Sequence, residues 1–315
     1  MLETMFPTFI LVDTKDCSYC IDPRLKPPFP QPCSKSSMQL SHLIIKSFLT
    51  VTQTNTSKAI KLGVTNLSFH RVTASLVSHA LNDMGFKVER VYSPHEENFS
   101  KLISGEIDML SSAWLPLSHG IYKASVKEVQ PLLELGLHYE PYALWGVPDY
   151  VPEVLVSEVS DLTKPEVVAK MKSDIQGINP GAGITRFSIK MMDEYALTQA
   201  GYHFHTGTEE DCFTAFEQAV KEKRWVVVPL WKPQFLHYKY AIRELTEPKG
   251  LLGIIDKAVL LLRKDKSDKF TQDELNQLDT LRFSNDIIAE LDYKISREGR
   301  DLDTVTREWL DNQAQ

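Results

Sequence analysis

One pattern recurs twice along this chain, and it narrows the fold more than any other property. Strand-like runs alternate with helix-like runs between residues 60 and 114, and again between 175 and 231. In the first stretch, "IKLGVT" reads as a strand. "FHRVTASLVSHALNDMG" reads as a helix with Val72, Leu76, Val77, Ala80, Leu81 and Met84 on one face, closed by Gly85. "FKVERVYS" alternates as a strand, "EENFSKLISG" is a short helix ended by Gly105, and "EIDMLSSAW" is a further strand. In the second stretch, "IQGINPGAGI" is a strand and a Gly-rich turn, "TRFSIKMMDEYAL" a helix and "YHFHT" a strand. "EEDCFTAFEQAVKEK" is a helix with Phe213, Phe216, Ala219 and Val220 inward, and "RWVVVPLW" closes the series as a strand. Such alternation predicts an α/β fold with largely parallel sheets, and its repetition predicts two lobes.

Both stretches end alike, in Trp114-Leu115-Pro116 and in Trp231-Lys232-Pro233. Open α/β sheets bind ligands at strand carboxyl ends, so two facing lobes would bring two indoles to one cleft. "YALWGVPDYV" reads as a strand crossing between lobes and "LLGIIDKAVLLLRKD" as the return. The expected division is residues 58–145 for the first lobe, 146–254 for the second, and 255–315 for the return crossing and C-terminal helices packed on the first lobe. Two crossings make a hinge that permits closure over a ligand.

Composition removes whole classes of function. The chain has 315 residues, more than one small domain needs, and a net charge of −7 with no Lys/Arg stripe, which argues against a nucleic-acid surface. No run of about 18 apolar residues is present to span a membrane. Cys17, Cys20 and Cys33 lie near the start, and "CSYC" has redox or zinc spacing. No second pair of cysteines or histidines follows it, and "RLKPPFPQP" beside it is Pro-rich, so residues 1–57 read as a leader. Within it Met38 is a candidate start, followed by a weak apolar run broken by Lys46 and a cleavage point after Ala59. Cys212 falls mid-helix and reads as core.

The candidate site follows from three pieces. Indole faces attract cations, and quaternary ammonium offers no N–H to donate, so aromatic walls are its natural container. The alternative is that each Trp lids its own core. "GINPGAGI" over 177–184 is neither a Walker loop nor G-x-G-x-x-G, since Arg186 stands where the last Gly should be. It is either a tight structural turn or a nest of amides at a helix N-terminus suited to a carboxylate. His119, just beyond the first Trp-x-Pro, is either a carboxylate donor or a surface residue. A small zwitterion with quaternary ammonium and carboxylate satisfies all the functional readings together.

At these residues the chain resembles the substrate-binding proteins of glycine-betaine ABC importers. The resemblance is carried by "SGEIDMLSSAWLPLSHGIYKA", "QGINPGAGITRFSIKMMDEYAL" and "VVVPLWKPQFLHYKYAIRELTEPKG" and covers roughly residues 60–262. It implies a two-lobed, type II-like periplasmic-binding-protein fold with ligand in the interlobe cleft, an extracytoplasmic monomer, and a permease and ATPase as partners, with no cofactor or metal. It makes Trp114 and Trp231 cage walls and gives the carboxylate to His119 and the amides of Gly183 and Ile184. Many members have a third cage Trp after the first strand. Here Leu67 takes that place, with Phe69 or His70 as substitutes, so carnitine, choline-like or sulfonium ligands stay open. Choline, lacking a carboxylate, would leave the amides unpaired. A sensor of the same fold is one alternative. An enzyme is another, although no catalytic triad or metal-ligand cluster emerges from the sequence.

Overall fold

The computed structural model describes residues 58–313, so the expectations for residues 1–57, including Cys17, Cys20, Cys33 and the Met38 start, lie outside it. The first elements are β1 (Lys58–Thr65), α1 (Ser68–Asp83), β2 (Phe86–Ser93), α2 (His95–Ser104), β3 (Met109–Leu115), α3 (Gly120–Val129) and β4 (Leu132–Tyr139). There follow β5 (Tyr142–Pro148), α4 (Pro165–Val168), β6 (Asp174–Gln176), α5 (Gly183–Glu194), β7 (His203–His205), α6 (Glu209–Glu222), β8 (Val228–Lys232), α7 (Leu236–Lys239) and β9 (Ile242–Glu244). The chain closes with β10 (Lys257–Arg263), α8 (Gln272–Thr280), α9 (Asn285–Ser296) and α10 (Leu302–Gln313). The local signals act as read: Gly85 and Gly105 stop their helices at φ +86° and +81°. Thr208 and Asp211 form a capping box that starts α6.

The first lobe surrounds a sheet of order β2-β1-β3-β10-β4. β1 runs parallel to β2 and β3, as strand–helix alternation requires. β10 is antiparallel to both its neighbours, because it re-enters from the other lobe rather than through a crossover helix. In the second lobe β6 and β7 pair in parallel, and isolated parallel bridges join Glu158 to Thr246 and Met171 to Trp225. β5 arrives from the first lobe and pairs antiparallel with β8 and β9, so the parallel expectation fails for this sheet.

Strand pairing places the outward crossing at Glu140–Pro141, so the expected boundary at 145 falls inside β5. The return is at Asp256, whose N–H donates to the Pro141 carbonyl at 2.8 Å, and the two crossings therefore run side by side. Cleavage after Ala59 would cut β1, where Lys58 and Ala59 pair with Phe86 and Lys87.

Helix α1 is more deeply enclosed than its apolar face predicts. Val72, Leu76, Val77 and Leu81 are buried, but so are Thr73, Ser75 and Ser78. α9 and α10 cover that side, where Ser75 Oγ donates to Asp303 at 2.6 Å and lies 2.7 Å from Thr306 Oγ1. α9 also packs on α7, so the C-terminal helices touch both lobes. Cys212 is buried in α6 as core.

Candidate ligand site between the lobes

Strand β3 delivers Trp114 through a bulge. Val259 of β10 faces Ala113 and Leu261 faces Leu110, so Ser111 and Ser112 together oppose the single residue Leu260. Ser112 takes the left-handed conformation at φ +57°, which bends the strand and re-aims the side chains beyond it. The Trp114 indole N–H then finds the Tyr139 hydroxyl at 3.2 Å and Ser112 Oγ at 3.3 Å, and Tyr139 also hydrogen-bonds Ser112. This buried hydroxyl set holds the edge of the ring, whose body packs among Phe69, His70 and His119. Trp231, on β8, is 2% exposed and its indole N–H has no partner. The peptide bonds before Pro116 and Pro233 are both cis.

The structure brings all seven sequence-predicted residues to one cavity. Phe69, His70, Trp114 and His119 line it from the first lobe, and Gly183, Ile184 and Trp231 from the second. Phe69, from the first turn of α1, stands between the indoles, 5.4 Å from Trp114 and 5.7 Å from Trp231 between ring centres. Leu67 lines the cavity too. With the rings so close, the cavity measures about 20 Å³, room for roughly one water.

The polar end is built by a helix start and a loop. α5 begins at Gly183 with no side-chain cap and no acidic residue in its first turn, which leaves its leading amides and dipole uncompensated. A Cβ at Gly183 would sit 3.0 Å from the Ser118 Cα, Cβ and Oγ, so the glycine permits the lobes to approach here. Asp256 accepts from the Leu117 and Ser118 amides at 2.7 and 3.0 Å, tying the His119 loop to the hinge. Arg186, left open between charge and solvated surface, crosses the cleft: it donates to the Ser118 carbonyl at 2.7 Å and to the Gly181 carbonyl at 2.7 Å.

A family described as the substrate-binding domain of ABC-type glycine betaine transport systems matches residues 58–312. The chain belongs to this family. The Listeria monocytogenes protein GbuC, a glycine betaine/carnitine transport binding protein, is 24% identical over 150 residues. That match spans 47% of this chain and about half (49%) of the relative. The Borrelia burgdorferi glycine/betaine/L-proline-binding protein ProX aligns with TM-score 0.71 and 25% identity, covering 81% of this chain and 93% of that one. Lactococcal OpuAC, closed and complexed with glycine betaine, aligns with TM-score 0.71 and 22% identity over 82% and 96% of the two chains. The fold is thus that of the two-lobed periplasmic binding proteins, and the glycine-betaine family includes this chain through its whole described length but for its last residue.

Within this family member, sequence reasoning missed a histidine cluster. His70, His95 and His119 are buried with their ring nitrogens in metal-ligand reach of one another. His119 Nδ1 accepts the Trp114 backbone N–H at 2.9 Å, so the neutral ring carries its proton on Nε2. A metal on Nε2 would demand an imidazolate, and the cluster therefore does not fit one. That tautomer suits donation to a carboxylate. Burial, then the mutual repulsion of the rings, pushes His70 and His119 far below the ordinary histidine range. Burial and Arg186 bring His95 down to about 4. Both ring nitrogens of His70 lack partners. His95 was detectable in principle, since "SPH" places it just past the carboxyl end of β2, where open sheets position ligand groups.

Proposed function

We propose that this chain is the extracytoplasmic receptor of an ABC importer, which captures glycine betaine or a related quaternary-ammonium zwitterion between its lobes. As a monomer it would present the ligand to a permease and ATPase. One observation carries the reading: indole and phenyl faces line the same buried cavity as an uncapped helix N-terminus and a histidine whose free nitrogen is a donor. Trp114, Trp231 and Phe69 would enclose the ammonium by cation–π attraction, worth about 2 kcal/mol or more per desolvated ring. His119 Nε2 and the Gly183 and Ile184 amides would take the carboxylate. Because the cavity holds roughly one water as it stands, entry requires the lobes to part and Phe69 to yield. Burial pushes the Cys212 thiol far up, so that cysteine supplies no nucleophile.

Calorimetry with glycine betaine, carnitine, choline, proline and a sulfonium analogue tests this. At least one zwitterion should bind, and Trp114→Ala and Trp231→Ala should each weaken it by about 30-fold or more. Normal binding by both variants would mean that the rings only lid the core. A second reading, a hydroxylated betaine such as carnitine, is favoured by His70. Its two unpartnered nitrogens leave a desolvated polar group that a ligand hydroxyl would satisfy. Tighter binding of carnitine than of glycine betaine, lost in His70→Phe, would select it.

A further inference from the structure

Helix α1 carries Phe69 and His70 into the cavity, yet it lacks a cap of its own. Leu67 at its N-cap makes no side-chain bond, and no acidic residue lies in the first turn. The missing acceptor comes from the opposite lobe. The Ser68 N–H donates to both carboxylate oxygens of Glu209, at 2.9 and 3.2 Å, and Glu209 is the first residue of α6. We propose that Glu209 is a positioning residue for ligand capture: it caps α1 across the cleft, and its carboxylate takes up a proton as the lobes close. The proposal rests on the capture reading above.

The geometry makes capping and closure one event. With the lobes apart, Ser68 N–H and Glu209 are both hydrated; with the lobes together, the carboxylate is held at the junction of α1, α6 and α9. There it faces a second carboxylate, Asp292 of α9, which is fully buried and accepts from Phe235 N–H at 3.0 Å and Ser296 Oγ at 2.9 Å. Two carboxylates in one desolvated junction do not both ionise readily. Burial, then Asp292, raises Glu209 to about 8, and burial raises Asp292 to about 6. The Ser68 N–H bond itself and then Arg71 of α1 act against the Glu209 shift and Glu210 adds to it, so burial beside Asp292 has to outweigh the cap; the bonds from Ser296 and Phe235, then Arg297, steady the Asp292 charge. Cys212, one turn along α6, is held neutral.

The direction follows. A carboxyl group raised on closure binds a proton in the closed state that the open state lacks at neutral pH. Affinity therefore increases as pH falls from about 9 toward 7. Below about 6.5 the cavity histidines, which must be neutral in the closed form, act in the opposite sense, so the informative window lies above neutrality.

Calorimetry of the full chain with glycine betaine, in buffers of different ionisation enthalpy at pH 7.5, reads the protons taken up. The native protein should take up a large fraction of one proton and bind up to about tenfold more weakly at pH 9 than at pH 7. Glu209→Gln keeps an acceptor for Ser68, so it should bind with no such uptake and a flat profile. Glu209→Ala removes the cap and should bind about five- to tenfold more weakly at all these pH values. Unchanged uptake in Glu209→Gln, or native affinity in Glu209→Ala, overturns the proposal. If the native protein binds none of the five ligands, the capture reading fails instead, and exchange of the Ser68 amide in the ligand-free protein decides the latch alone. Protection lost in Glu209→Ala but kept in Glu209→Gln supports it; equal protection in all three overturns it.

Discussion

The Trp114 side chain shows how a single residue can be held at its edge while its ring lines a cavity. Its indole N–H is satisfied by Tyr139 and Ser112 inside the first lobe, so the ring has no need of a ligand to hydrogen-bond its edge. What remains available is the face, the part that attracts a cation. Trp231 differs, since its N–H has no partner and its ring rests on Phe69 and Phe213. At the other end of the site, His119 is set by one backbone donor, Trp114 N–H, which dictates its tautomer. His119→Ala should therefore weaken glycine betaine by about tenfold or more, the usual scale for a hydrogen bond to a charged group. Any residual binding of choline, which has no carboxylate, should change little. Competition calorimetry with the two ligands checks this, and equal losses for both would remove His119 from the carboxylate role. The tryptophans and the histidine that line the cavity were legible in the sequence because Trp-x-Pro repeats and the histidine follows it closely. His95 had only the weaker signal of lying just past the end of β2; its packing against His70 and His119 joins segments far apart in the chain.

At the scale of elements, the start of helix α5 is the most constrained feature. The Gly-rich segment before it lets the chain turn from β6 into the helix, and Gly183 lets Ser118 of the opposite lobe approach to a distance that any Cβ would contest. Gly183→Ala should leave the thermal midpoint nearly unchanged, since alanine suits the first turn of a helix. It should weaken ligand binding by about tenfold or more by wedging the lobes apart at the carboxylate end. Titration calorimetry and differential scanning calorimetry on the same variant separate the two effects; loss of stability without loss of affinity would contradict this account. The helices and most strands were legible from periodicity and glycine stops. The bulge at Ser111–Ser112 was visible only as an oddity, two serines inside an apolar run. Its function depends on β10 lying opposite, and that pairing spans more than 140 residues of sequence.

The described residues form two lobes, one built on a five-stranded sheet and the other on a three-stranded and a two-stranded sheet, joined by two adjacent crossings, with α9 touching both lobes and Arg186 and Glu209 bridging the cleft. Its interior holds histidines that folding keeps neutral. Burial lowers His95, His138 and His237 to about 4, and His70 and His119 fall well below their ordinary range. For such a group the folded pKa lies below the unfolded value near 6.5. The stability it contributes is present above about 6.5 and is lost as pH falls toward the folded value. The thermal midpoint should accordingly drop between pH 6.5 and 4, and replacing His70 by Gln should reduce the steepness in calorimetric scans; an unchanged slope would mean that His70 is hydrated in solution. The sequence by itself determined the α/β class, the two lobes, most elements and which aromatic residues and histidines to look for around the cavity, because these follow from short-range periodicity, turn chemistry and a repeated motif. Only the tertiary structure decided the rest. The antiparallel second sheet, the closing of the cavity by Phe69, the histidine cluster and the cap that Glu209 lends to α1 are all contacts between segments far apart in the chain. Local propensity carries no record of such contacts, because they exist only once the two lobes have been brought face to face.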